Sequence, residues 1–117
     1  MNRILSFYIQ DALDAIKKIE TFIEGQSLES FETNELVKDA VIRNFEVIGE
    51  TVKRIPDDIR NEFPGIPWKS MVGLRNTLLH DYLGIDNSIL YKIATDDIKK
   101  TKIEFQKCLK FLKDKEG

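Results

Sequence analysis

Residues 3–24 read RILSFYIQDALDAIKKIETFIE, and the spacing of the apolar side chains in this stretch decides the fold class. Ile4, Phe7, Tyr8, Ala12, Ala15, Ile16, Ile19 and Ile23 recur at three- and four-residue steps, the period of one helical face. Gly25 ends this first helix, since a residue free to take positive φ is the commonest helix stop. After a polar stretch from Gln26 to Ser30, a second long pattern runs through Leu36, Ala40, Val41, Val47, Ile48 and Thr51 towards Ile55. Pro56 presets φ for a new first turn, Asp57 and Asp58 suit the positive end of a helix dipole, and Pro64-Gly65 stops a short connector helix.

Pro67 can occupy the first position of another helix, predicted from Trp68 to about Asp81, before Gly84 breaks the chain. Asp86 or Asn87 can cap the last helix, whose apolar stripe is Leu90, Ile93, Phe105, Cys108 and Leu112. No alternating strand pattern or internal repeat interrupts the series. The expected architecture is all-α: an antiparallel bundle of about five helices, four long and one short, in a single domain over residues 1–117.

Composition narrows the class of activity. At 117 residues the chain can bury roughly two-thirds of its unfolded surface. The single Cys108 cannot close an internal disulfide and no secretory leader opens the chain, so a soluble protein in the reducing cytoplasm is expected. No apolar run approaches the roughly 20 residues that span a bilayer, so no membrane partner is expected. The formal charge of −2 conceals two unlike regions. Glu20, Glu24, Glu29, Glu32 and Glu35 stand without a Lys or Arg among them, whereas Lys99, Lys100, Lys102, Lys107, Lys110, Lys113 and Lys115 crowd the tail. Those lysines read either as a local phosphate attractor or as the solvated face of a terminal helix.

The one histidine, His80, lies four residues after Asn76 and five after Arg75. One His and one Cys 28 residues apart give no ligand spacing for zinc, so neither metal nor other cofactor is expected. Cys108 falls on an apolar stripe, where a thiol packs as a small hydrophobe. At about 100° per residue, Asn76 and His80 are about 40° apart on the helix and Arg75 flanks the same polar face. Arg75 offers a permanent cationic fork suited to a phosphodiester, and an imidazole exchanges protons near neutral pH. That set matches RNA cleavage by the substrate's own 2′-hydroxyl, which requires proton transfer and charge stabilisation but no metal or protein nucleophile. The same three residues can instead cap carbonyls and pair with carboxylates at a helix end, and spacing alone does not choose.

Beyond the motif helix, Arg43, Glu46 and Glu50 lie along one side of the second long helix at ion-pairing steps, a pattern that most often makes a solvated face, while Glu50, in its Gly-Glu pair, is the alternative candidate to orient Arg75 or His80. Gly49 in a helix interior costs about 1 kcal/mol against Ala, which points to a close helix contact there. Trp68 is expected as a core or interface anchor.

Phe45-Glu46-Val47-Ile48-Gly49-Glu50, then Ile66-Pro67-Trp68, then Gly73-Leu74-Arg75-Asn76 and His80-Asp81-Tyr82 appear in order, and together they resemble the HepT-like family of toxins, a branch of the HEPN helical domains. The resemblance covers essentially the whole chain. Thr51 departs from it where Ala often follows the Gly-Glu pair, and Leu74 where Met is frequent. The resemblance implies a ribonuclease motif of Arg, polar residue, three residues and His, filled by Arg75, Asn76 and His80. It further implies a homodimer whose two motifs face one cleft, and a type VII-like toxin–antitoxin system. In that system an MntA-like minimal nucleotidyltransferase antitoxin attaches AMP to a tyrosine two residues after the His, here Tyr82. On a continued helix Tyr82 lies about 20° from Arg75, so the added AMP would enter the RNA site. The alternatives are a non-catalytic nucleotide- or partner-binding module that associates with such a nucleotidyltransferase, and a helical interaction protein with no ligand.

Overall fold

The computed structural model describes residues 2–81 and 85–116, and for Asn2 and Asp81 the backbone alone. Tyr82, the expected modification site, lies outside the described residues. Helix α1 spans Asn2–Ile23 and ends where Gly25 takes φ of +78°, which lets the Gln26 N–H reach the Ile23 carbonyl at 3.0 Å. Its buried face is Ile9, Ala12, Leu13, Ala15, Ile16, Ile19 and Ile23. Ile4 and Phe7, expected on that face, are 53% and 58% exposed. At 100° per residue they fall opposite Ile9, on the side that carries the exposed Asp11 and Asp14.

The polar stretch after Gly25 forms a helix that the periodicity does not predict, α2 over Leu28–Thr33. The Ser27 hydroxyl accepts from the Ser30 N–H at 3.0 Å and the Ser30 hydroxyl accepts from the Ser27 N–H at 2.9 Å. This is a capping box built with Ser at the third position, where Glu or Gln is the usual signature. Phe31, fully buried, anchors α2 against the Tyr91 ring at 5.7 Å, a burial that contributes about 1.5–3 kcal/mol. The Asn34 side chain then caps α3, Glu35–Val52, by accepting from the Val37 N–H at 3.1 Å. Leu36 is 85% exposed because it lies diametrically opposite Phe45 on α3, away from the buried row Val41, Ile42, Phe45, Ile48, Gly49 and Val52.

Helix α3 ends at Val52, short of Ile55, and Arg60 in the short α4 (Asp57–Glu62) satisfies its last carbonyls. Arg60 Nε donates to the Ile55 carbonyl at 2.8 Å and Nη2 to the Val52 carbonyl at 3.0 Å. Pro56 precedes the first turn of α4 in extended geometry, at φ −73° and ψ 161°. Helix α5, Trp68–Asp81, begins directly after Pro67. Trp68 is buried, donates through Nε1 to the Phe63 carbonyl at 3.0 Å and meets the Phe105 ring edge-on at 5.8 Å.

The last long stretch is α6, Asn87–Lys92, capped by Asp86, then one π-helical turn over Ile93–Asp97, then α7, Ile98–Glu116. The Asp86 carboxylate accepts from the Ser88 N–H and hydroxyl, and these bonds hold its pKa below the ordinary carboxylate value. The buried row runs Leu90, Ala94, Ile98, Thr101, Phe105, Cys108 and Leu112. At about 100° per residue this row stays within about 80° of the helix surface, and Ile93 falls about 60° outside it. Ile93, expected on the stripe, is therefore only half-buried.

Helix α1 packs on α3 and α7, and α3 packs in turn on α5. Tyr8 at the start of α1 sits under Arg54 beyond the end of α3, with the guanidinium carbon 5.8 Å from the ring centre. Ser6 bonds Glu116, and Lys102 Nζ lies 2.9 Å from Glu20 Oε1, so α7 runs against α1 as well. The described residues thus form an all-α antiparallel bundle with four long elements, the short α4, and α2 in addition. None of the described helices is long and apolar enough to cross a membrane.

Candidate active site

Gly49 fixes how α5 meets α3. A Cβ at this position would lie 2.2 Å from Arg75 Cβ and 2.8 Å from the Met71 carbonyl oxygen, so the two backbones approach at a distance only glycine permits. The close contact expected at Gly49 is therefore present, and its partner is the base of Arg75. Residue numbers rise along α5 as they fall along α3, for Leu78 is grouped with Ile42, Arg43 and Glu46.

From that contact the Arg75 side chain extends along α3, where Nη2 donates to Glu50 Oε2 at 2.6 Å. Nη1 donates to Asn76 Oδ1 at 3.2 Å. The other Glu50 oxygen lies 3.6 Å from Arg54 Nη2. Arg75 is 21% exposed and Glu50 49%, so water screens the pair and its net stabilisation is at most about 1 kcal/mol. Its larger effect is geometric: a charge-assisted bond fixes a long, flexible side chain in one direction. Of the two partners expected for Glu50, Arg75 is the one to which it is bonded.

An open groove of about 420 Å³ lies over this pair, lined by Arg43, Glu46, Val47, Glu50, Thr51, Arg75 and Leu79. His80 is exposed on the last turn of α5 and is not among the lining residues. The helical angle explains this. Leu79 follows Arg75 at about 40° and remains on the α3 side, whereas His80 follows at about 140° and faces away from the groove. Asn76 and His80 share an outward face one turn apart, as their spacing requires, and Asn76 links that face to Arg75 through its hydrogen bond. Thr77, between them, returns its hydroxyl to the Gly73 carbonyl at 3.1 Å and takes no part.

Arg54 and its stacking partner Tyr8 are not singled out by the sequence pattern. The step of four from Glu50 to Arg54 is the signal that could have found Arg54. Cys108 sits fully buried, and burial pushes its thiol up to about 12, which disfavours the nucleophilic thiolate. The lysine-rich tail is largely matched by its own surroundings. Lys102 pairs with Glu20, Lys107 lies 3.7 Å from Glu104, Lys110 lies 3.0 Å from Asp114, and Lys115 stands over the Phe111 ring at 4.7 Å. That pattern belongs to a solvated helix face. No three His, Cys, Asp or Glu side chains cluster to hold a metal among the described residues.

The family model described as Ribonuclease HepT-like matches residues 12–108. A protein of Methanocaldococcus jannaschii named "Putative RNase" is 40% identical over 113 residues, covering 97% of each chain. The "Probable ribonuclease HepT" of Thermococcus cleftensis is 38% identical over 110 residues, 94% of this chain and 100% of its own. No solved structure matches.

Proposed function

Because the chain belongs to the Ribonuclease HepT-like family, we propose that it is a metal-independent RNA endonuclease whose chemistry is centred on Arg75, Asn76 and His80. The observation that carries this reading is the seating of Arg75: its base is locked on Gly49, its fork is aimed by Glu50, and its flank opens on a groove. A guanidinium held in place before substrate arrives stabilises developing charge on a phosphorane without reorganising. In this mechanism the RNA 2′-hydroxyl attacks the adjacent phosphorus, the bond to the 5′-oxygen breaks, and a 2′,3′-cyclic phosphate forms. One proton leaves the attacking hydroxyl and one is given to the departing oxygen, and the imidazole of His80 serves these transfers. Asn76 couples the outward face to Arg75 through the bond to its fork.

The divergence of Arg75 and His80 by about 140° on one helix favours a site completed by a second copy of the chain. In a two-fold dimer the Arg75 of one protomer and the His80 of its partner can converge on one phosphodiester. Regulation follows the family pattern: a nucleotidyltransferase antitoxin of the MntA type attaches AMP to Tyr82 and silences the toxin.

The test is cleavage of total cellular RNA in EDTA by the unmodified chain, beside His80→Ala and Arg75→Ala. Cleavage by the parent protein and its loss in both variants supports the reading. An inactive parent protein would favour the non-catalytic nucleotide- or partner-binding module. Equal activity in parent and variants would point to a contaminating nuclease.

A further inference from the structure

The groove beside Arg75 runs along α3 to Arg43, and Arg54 stands just outside its lining at the other end. Arg43, Glu46, Glu50 and Arg54 follow one another at steps of three, four and four residues, which keeps the three within α3 on one side of it. From Arg43 to Glu50 this stripe rises about 10 Å on α3, and Arg54 follows in the turn beyond the helix end, 3.6 Å from Glu50. Arg75 joins it from α5 at the middle, through Glu50. Three guanidiniums therefore stand in a line, with the seated Arg75 between two others.

The outer two differ in what holds them. Arg54 is 56% exposed, lies 3.6 Å from Glu50 and rests over Tyr8. Arg43 is exposed and lines the same groove as Arg75; it makes no ion pair or side-chain hydrogen bond with another described residue. Asp39 and Glu46, one turn to either side of it on α3, are spaced to bridge it, yet neither does so. Two carboxylates inside the groove, Glu46 and Glu50, rule out a general polyanion trap. Anionic groups find favourable seats only at the three guanidiniums, and Leu79, 48% exposed, offers an apolar surface beside them for a ribose or base.

Resting on the ribonuclease reading, we propose that this groove binds one extended RNA strand, with Arg43 and Arg54 holding the phosphates on either side of the phosphodiester at Arg75. A single strand can lay its backbone along a line of cations and its unpaired bases against side chains such as Leu79. The strand is gripped at three points, so the reactive phosphate is centred by its neighbours as well as by Arg75.

The experiment is equilibrium binding of a fully 2′-O-methylated single-stranded oligonucleotide, which lacks the attacking hydroxyl and stays intact, measured by fluorescence anisotropy at a series of salt concentrations. The full chain is compared with Arg43→Gln, Arg54→Gln and the corresponding lysine variants, with circular dichroism melting as the folding check. For a single strand, removing one cation that neutralises a phosphate lowers the slope of log Kobs against log salt by about 0.7. Each glutamine variant is expected to show that decrease, and each lysine variant to restore the parent slope. Duplex RNA of the same length should bind more weakly to the parent protein.

Full slope in either glutamine variant, or preference for duplex, would overturn the three-point track while leaving the ribonuclease reading intact. Failure of the parent protein to bind any RNA would overturn both. Arg43→Gln is the sharper variant, because it leaves the Glu50–Arg75 bridge untouched.

Discussion

Burial among the inward side chains of α7 pushes the Cys108 thiol up to about 12, and this single residue sets a clear pH signature. The unfolded chain loses the thiol proton near the ordinary value of 9.0 while the folded chain keeps it. The stability linked to Cys108 is therefore complete below pH 9.0 and drains as pH rises towards about 12. Denaturant titrations across that window should show falling stability, a trend that Cys108→Ala flattens, and iodoacetamide should label the unfolded chain but not the folded one. At this scale the sequence was legible where a residue's angle on its helix was decisive. Ala12, Ile16, Phe105 and Cys108 are where periodicity places them. Ile4, Phe7 and Leu36 are not, because three- and four-residue steps can be counted along either side of a long helix and hydrophobicity alone does not say which side meets a neighbour.

Helices α3 and α5 meet at a contact that tolerates no added methyl group. Gly49→Ala gains about 1 kcal/mol of intrinsic helix propensity, yet its Cβ would stand 2.2 Å from Arg75 Cβ and 2.8 Å from a backbone oxygen that cannot rotate away. Overpacking of this kind costs about 1–3 kcal/mol. The variant is expected to be destabilised by chemical denaturation and to lose RNA cleavage more severely than stability, since separating the helices also withdraws Arg75 from Glu50. Unchanged stability and activity in Gly49→Ala would contradict the contact. The bounds of α5 were readable because Pro67 fixes its start, and Gly49 signalled its own role by being costly in a helix. The α2 helix was not readable, because a capping box closed by Ser30 resembles ordinary loop composition. The π turn was likewise hidden, since a stripe with two steps of four reads as a slightly imperfect α pattern.

For the whole molecule, the arrangement of Arg75 and His80 on different sides of α5 predicts complementation between inactive chains. Arg75→Ala and His80→Ala proteins, each inactive alone, should recover activity when co-refolded, because one of the two sites in a mixed dimer then holds an intact Arg75 and an intact His80. With random pairing in a two-fold dimer the yield is about a quarter of the parent activity. A mixture as inactive as its components would show that each chain uses its own pair. The arrangement of helices followed from lengths and turns; Glu50 was expected beside Arg75 or His80, and only the packing of α5 on α3 selects Arg75, 25 residues away.

Helix α5 is also a lever. Its root is clamped: Trp68 is wedged against Phe105, bonded to the Phe63 carbonyl and overlain by Arg60, whose guanidinium carbon is 5.9 Å from the ring centre. Its fulcrum is the bare backbone of Gly49 beneath Arg75, and His80 is carried on the arm beyond, about 18 Å from the root. A small tilt imposed at Trp68 leaves Arg75 nearly stationary and swings His80 the opposite way by about seven-tenths as much. Damage to the root, about 18 Å from His80, would therefore shift His80 relative to Arg75 before it dislodged either one.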